Sequence, residues 1–120
     1  MTSNIPKEVS LELDLAVAMR SAGNEGKARV HARRAAGWAI RVWCERHDCS
    51  KKGQSAFAYL QGVSVDLSIP KYVREAAANL VLRITVNHEL PVETDILDDA
   101  RLVATYFVIR IRDHVAHLYH

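Results

Sequence analysis

Apolar residues recur every three or four positions along most of this chain, and that period predicts helices. The cleanest case lies near the end, where Ile96, Ala100, Val103, Phe107, Ile111, Val115 and Leu118 form one stripe. It predicts a helix from about 95 to 119, capped by Thr94 or Asp95, with Asp98 placed as a capping-box acid. Val73, Ala76, Ala77, Leu80, Val81 and Ile84 predict another helix over 70–87, opened by Pro70. A long helix over 27–46 carries the small and apolar positions Ala28, Ala32, Ala35, Ala36, Ala39, Val42 and Trp43, a face that another helix can approach closely. The first helix, over 6–22, has Ser3 or Asn4 as cap and Pro6 in its first turn. It is apolar on two sides, Val9, Leu13, Ala16 and Val17 on one and Leu11, Leu15, Ala18 and Met19 on the other, which predicts burial between two partners. A short helix over 55–61 completes the set.

The breaks agree with this reading. Gly23-Asn24-Glu25-Gly26 is a tight helix–helix link. His47 to Gly53 is polar, VSVDLSIP reads as a loop, and NHELPVET contains Pro91. There is no repeat, low-complexity tract or linker. The expectation is an all-α fold: residues 1–120 as one domain, an up-and-down bundle of about five helices.

Composition narrows the function classes. Of 120 residues, 49 % are hydrophobic and 25 % charged, and the net charge is only +2, so the whole molecule is no polycation. Its positive charge is mostly arginine, and Arg29, Arg33, Arg34 and Arg41 gather on one side of the second helix, read as a solvated face. Cys44 and Cys49 have neither disulfide-framework nor zinc-site spacing and read as reduced thiols. No signal pattern opens the chain and no apolar run suits a membrane, so the expectation is a soluble, cytoplasmic protein. A Gly-rich phosphate loop and a nucleophile elbow are both lacking, and no cofactor is implied.

Candidate chemistry concentrates in RDHVAHLY, Arg112 to Tyr119. Histidine titrates near neutral pH and can exchange a proton with a ribose hydroxyl or a leaving oxygen. Arginine can hold a phosphate and stabilise the charge that develops on it. Arginine and histidine at such spacing are a cheap pair, found also as Arg41 with His47 and Arg83 with His88. The company of Asp113 and Tyr119, late in the last helix, sets Arg112 and His117 apart.

With GNEGKARVHARRAAGWAIRVWCERH as a long alanine-rich second helix and DDARLVATYFVIRIRD leading to the motif, the chain resembles the HEPN superfamily of helical-bundle proteins. That resemblance implies metal-independent RNA cleavage at a cleft shared across a homodimer. His117 would be the acid/base and Arg112 the phosphate clamp. Asp113, a turn before His117, would orient the imidazole. Tyr119 would bind phosphate or be the residue modified by a nucleotidyltransferase-type antitoxin. The implied setting is a toxin–antitoxin or defence system.

Other readings stand beside this one. Cationic side chains near a helix C-terminus are favoured by its dipole, which alone accounts for Arg112, His114, His117 and His120. His114 and His117 with Asp113 or His120 fall short of a supported metal site. His31 reads as an interface residue, and Trp38 and Trp43 as core or dimer anchors. The alternative function is a non-catalytic helical module that binds a nucleotide or protein partner. An enzyme needs Arg112 and His117 to converge, yet on one helix they lie about 140° apart. Arg110 lies on the His117 side.

Overall fold

A computed structural model describes residues 5–47, 53–82 and 95–118, with side chains as far as Ile111. Five helices follow in order: α1 (Lys7–Ser21), α2 (Glu25–Arg46), α3 (Ala56–Val65), α4 (Lys71–Val81) and α5 (Ile96–Leu118). The all-α bundle expected from the periodicity is what forms. Within the predicted VSVDLSIP loop, the helix continues to Val65 before Asp66 turns the chain. α4 ends at Val81 with an extended Leu82, and the remainder of its predicted span lies outside the described residues.

α2 is the centre of the bundle. Ala32, Ala35, Ala36 and Ala39 are wholly or almost wholly buried, and α1, α3 and α5 all pack on this helix. Small side chains on one helix let neighbouring backbones approach closely. The limit is reached at Gly37, where an added Cβ would lie 2.5 Å from the Ala56 Cβ and 2.7 Å from its Cα. α4 and α5 close the core with Val73, Leu80, Val103 and Phe107, all at most 1 % exposed.

α1 departs from its prediction. Val9 and Ala16 are buried against the bundle, but Leu11 and Val17 are 54 % and 41 % exposed and Ala18 is exposed as well. α1 packs mainly on α2 and only lightly on α5, so one side of it is covered rather than two. Pro6 occupies its cap position without a side-chain cap bond; the predicted caps Ser3 and Asn4 lie outside the described residues.

One arginine fixes where three helices meet. Arg20, in the last turn of α1, donates from Nε to Glu25 Oε1 at 3.0 Å and from Nη1 to Asp95 Oδ1 at 3.0 Å. Glu25 begins α2 and Asp95 caps α5, accepting from Leu97 N at 2.9 Å and Asp98 N at 3.4 Å. Thr94, the other predicted cap, lies outside the described residues. Asp98 pairs with Arg101 at 3.5 Å instead of closing a capping box. With their starts tied together, α2 and α5 run in the same direction, and Trp43 meets Phe107 further along.

Asp95 carries a testable consequence. Partial burial works against its charge, but hydrogen bonds from Arg20 and from the Asp98 and Leu97 amides outweigh that and hold its carboxyl below the usual range. A depressed folded pKa contributes stability above the unfolded value of about 3.9, lost as pH falls through the folded value. Asp95→Ala should therefore lower unfolding stability at neutral pH by about 1 kcal/mol, through the lost cap. Asp95→Asn, which still caps, should cost less. Urea denaturation should also show a shallower loss of stability below about pH 4 in both variants than in the wild type. Unchanged acid sensitivity would contradict this role.

Candidate functional site

The distal half of α5 is held by Phe107 and Ile111, 1 % and 5 % exposed. From that anchor, helix geometry of about 100° per residue assigns the remaining positions. Arg110, Asp113 and His117 follow one side, at intervals of three and four residues. Arg112 falls on the opposite flank, in register with Arg101. Arg112, Asp113 and His117 all belong to α5, which continues to Leu118. Their side chains, and Tyr119 altogether, lie outside the described residues.

Next to this segment stands an aromatic and cationic cluster, in which Trp43, read from the sequence as a core or dimer anchor, joins His47, read as the start of a polar loop, to Arg110 of α5. The Arg110 guanidinium carbon lies 5.8 Å from the Trp43 ring centre and 5.3 Å from that of Tyr106. Such placement over aromatic faces is favourable for a cation. His47 stacks on Trp43 with ring centres 4.4 Å apart, and its Nδ1 donates to the Trp43 carbonyl oxygen at 2.8 Å. The sequence signal was available, since Trp43 and His47 are four residues apart at the end of α2. The partner from α5 was not.

The outer face of α5 forms a recess of about 600 Å³ lined by Tyr72, Arg101, Leu102, Thr105, Tyr106 and Ile109, with Arg110 at its edge. Tyr72 is 58 % exposed and Ile109 40 %. This apolar strip separates the Arg112 flank from the Arg110–His117 flank.

The arginines of α2 do not share one solvated face. Arg33 turns inward and donates from Nε to the Leu80 carbonyl and from Nη2 to the Leu82 carbonyl at 3.2 Å, closing the end of α4. Burial, with Arg29 nearby, lowers its pKa from the ordinary arginine value. Arg34 and Arg41 instead border a recess of about 220 Å³ between α2 and α3, together with Trp38, Gln54 and Tyr59. Arg41 lies 4.9 Å from the Trp38 ring centre and pairs with Glu45 at 3.0 Å. The split follows from helical geometry, because Arg34 is about 100° from Arg33. His31 is an interface residue as read: its Nδ1 lies 3.0 Å from Glu12 Oε2 of α1. Among the described residues, no three His, Cys, Asp or Glu side chains are grouped to hold a metal ion, and no helix is long and apolar enough to cross a membrane.

Arg33 and Arg34 differ in a measurable way. Arg33→Met should lower unfolding stability by about 1–3 kcal/mol, because it leaves the Leu80 and Leu82 carbonyls short of donors. Arg34→Met should change it by no more than about 0.5 kcal/mol. Equal effects in denaturant titrations would remove Arg33 from its capping role.

No protein-family model, curated protein or solved structure matches this chain.

Proposed function

We propose that this chain is a small HEPN-like protein that acts as a homodimeric, metal-independent endoribonuclease of a toxin–antitoxin or defence system. Arg112 clamps the phosphate, His117 moves the proton, Asp113 orients the imidazole and Tyr119 contacts phosphate or is the antitoxin's target. The observation that supports this reading most is the apolar strip between the two flanks of α5, half-buried Leu102 and Tyr106 with exposed Ile109. In a two-fold pairing with parallel α5 helices joined on that strip, each copy's Arg112 flank faces its partner's His117 flank. The separation of about 140° within one helix then serves a composite site rather than opposing it. Arg110, on the His117 side, adds positive charge for an RNA backbone.

The cleavage test uses purified protein and several RNAs in EDTA. Wild type should cleave, while Arg112→Ala and His117→Ala should each lose most activity. Unfolding and remixing the two inactive variants together should restore about a quarter of wild-type activity, because half the dimers then hold one intact site. Restoration would establish the shared site. Equal cleavage by wild type and both variants would contradict it. The same recess suits a non-catalytic module that binds a nucleotide or protein partner through exposed Tyr72 and Ile109. A dimer that cleaves no RNA would favour that reading.

A further inference from the structure

The recess of about 220 Å³ between α2 and the start of α3 carries a chemistry that neither the packing nor the α5 face uses. Arg34, Trp38 and Arg41 follow one another at intervals of four and three residues, so they share one face of α2. Gly37 belongs to that face as well, and its missing side chain lets Ala56, at the start of α3, close against it. Arg34 and Arg41 line the recess from two turns apart, about 10 Å along the helix axis, a span that two long side chains can bridge. The Gln54 carboxamide adds to the polar lining. Among the described residues, no carboxylate lines the recess.

The balance of charge at this recess selects a ligand. Arg34 is exposed and has no acid three or four residues away on α2. Among the described residues it makes no ion pair or hydrogen bond. Arg41 is partly balanced by Glu45, which accepts from its Nε at 3.0 Å. The Arg41 guanidinium carbon lies 4.9 Å from the Trp38 ring centre, a contact that orients the group, and both Nη atoms lack an acceptor among the described residues. Guanidinium groups present paired N–H donors that match phosphate oxygens, and the Gln54 amide can donate one more. Two such cations beside one recess attract a dianion more strongly than a monoanion. We infer that the recess between Arg34 and Arg41 binds the dianionic phosphoryl group of a small phosphate monoester. No residue of α5 lines this site, so its occupancy does not rest on the RNA-cleaving reading.

Methyl phosphate and dimethyl phosphate differ by one methyl group and one charge, and they separate this site from a general attraction to anions. Both are titrated into the full-length protein labelled with ¹⁵N, at constant ionic strength and about pH 8, well above the second phosphate ionisation near 6. Indole N–H signals are assigned with Trp38→Phe. Methyl phosphate should shift the Trp38 indole and Gly37 amide signals saturably and leave the Trp43 indole in place. Dimethyl phosphate should bind at least about tenfold more weakly. Arg34→Met and Arg41→Met should each weaken methyl phosphate at least about tenfold, as the loss of one charge-assisted contact implies. Arg46→Met, at an exposed position of the same helix, should not. The variants are checked for a native amide spectrum, and Arg34→Met alone is sufficient if Arg41→Met disturbs Trp38. No saturable shift at Trp38, or an equal loss with Arg46→Met, would overturn the inference. Equal binding of the two esters would also overturn it, since it would show attraction to any phosphate, a nucleic-acid backbone included.

Discussion

The small side chains of α2 are the constraint from which the rest of the structure follows. Ala32, Ala35, Ala36 and Ala39 are buried without bulk, and Gly37 lies against the Ala56 backbone with no room for a methyl group. Close approach fixes the neighbours of α2 at a distance where larger side chains interlock beyond its alanine stripe. Trp43 then reaches the edge of Phe107 with ring centres 5.6 Å apart. Tyr59, from α3, lines both the arginine-bordered recess and a recess of about 340 Å³ that includes Trp43 and Phe107. Both recesses are consequences of how near α3 lies to α2.

Charged groups fix the helix ends that this packing leaves open. Arg20 joins the end of α1 to the starts of α2 and α5, and Arg33 closes α4 by meeting its last carbonyls. Orphan carbonyls at a helix end need such donors. With its start tied to α2 and its middle held by Phe107 and Ile111, α5 directs Arg110 toward Trp43 and Tyr106 and leaves Ile109 exposed. The proposed RNA-cleaving face thus rests on the contact between α2 and α5.

Much of this was legible in the sequence. The stripe through Phe107 to Ile111 identified the core side of α5, and the alanine-rich period of α2 identified a close-packing face, because burial and periodicity are coupled in a helix. Asp95 as a cap and His31 as an interface residue follow from local chemistry and were both readable. Tertiary partners were not. Helix geometry separates Arg33 from Arg34 by about 100°, but nothing local says that Arg33 meets α4 and Arg34 borders a recess. The two apolar sides of α1 suggested two neighbours, whereas α2 covers one side and leaves Leu11 at the surface. The Trp43–His47–Arg110 cluster joins residues from two distant helices. Arg112, Asp113 and His117 were placed on α5 as read, while their side-chain convergence lies beyond the described residues.

The most direct test of the central claim compares two glycines of the same helix. At Gly26 the nearest atom to an added Cβ is Asn24 Oδ1 at 3.8 Å, whereas Gly37 meets Ala56. Unfolding free energies from urea titration would be measured for Gly26→Ala and Gly37→Ala. Alanine favours helix over glycine by about 1 kcal/mol, so Gly26→Ala should leave stability unchanged or raise it. Gly37→Ala should lower it by about 1–3 kcal/mol, since α3 must move away. If both substitutions stabilise the protein alike, close contact between α2 and α3 is not what positions its recesses.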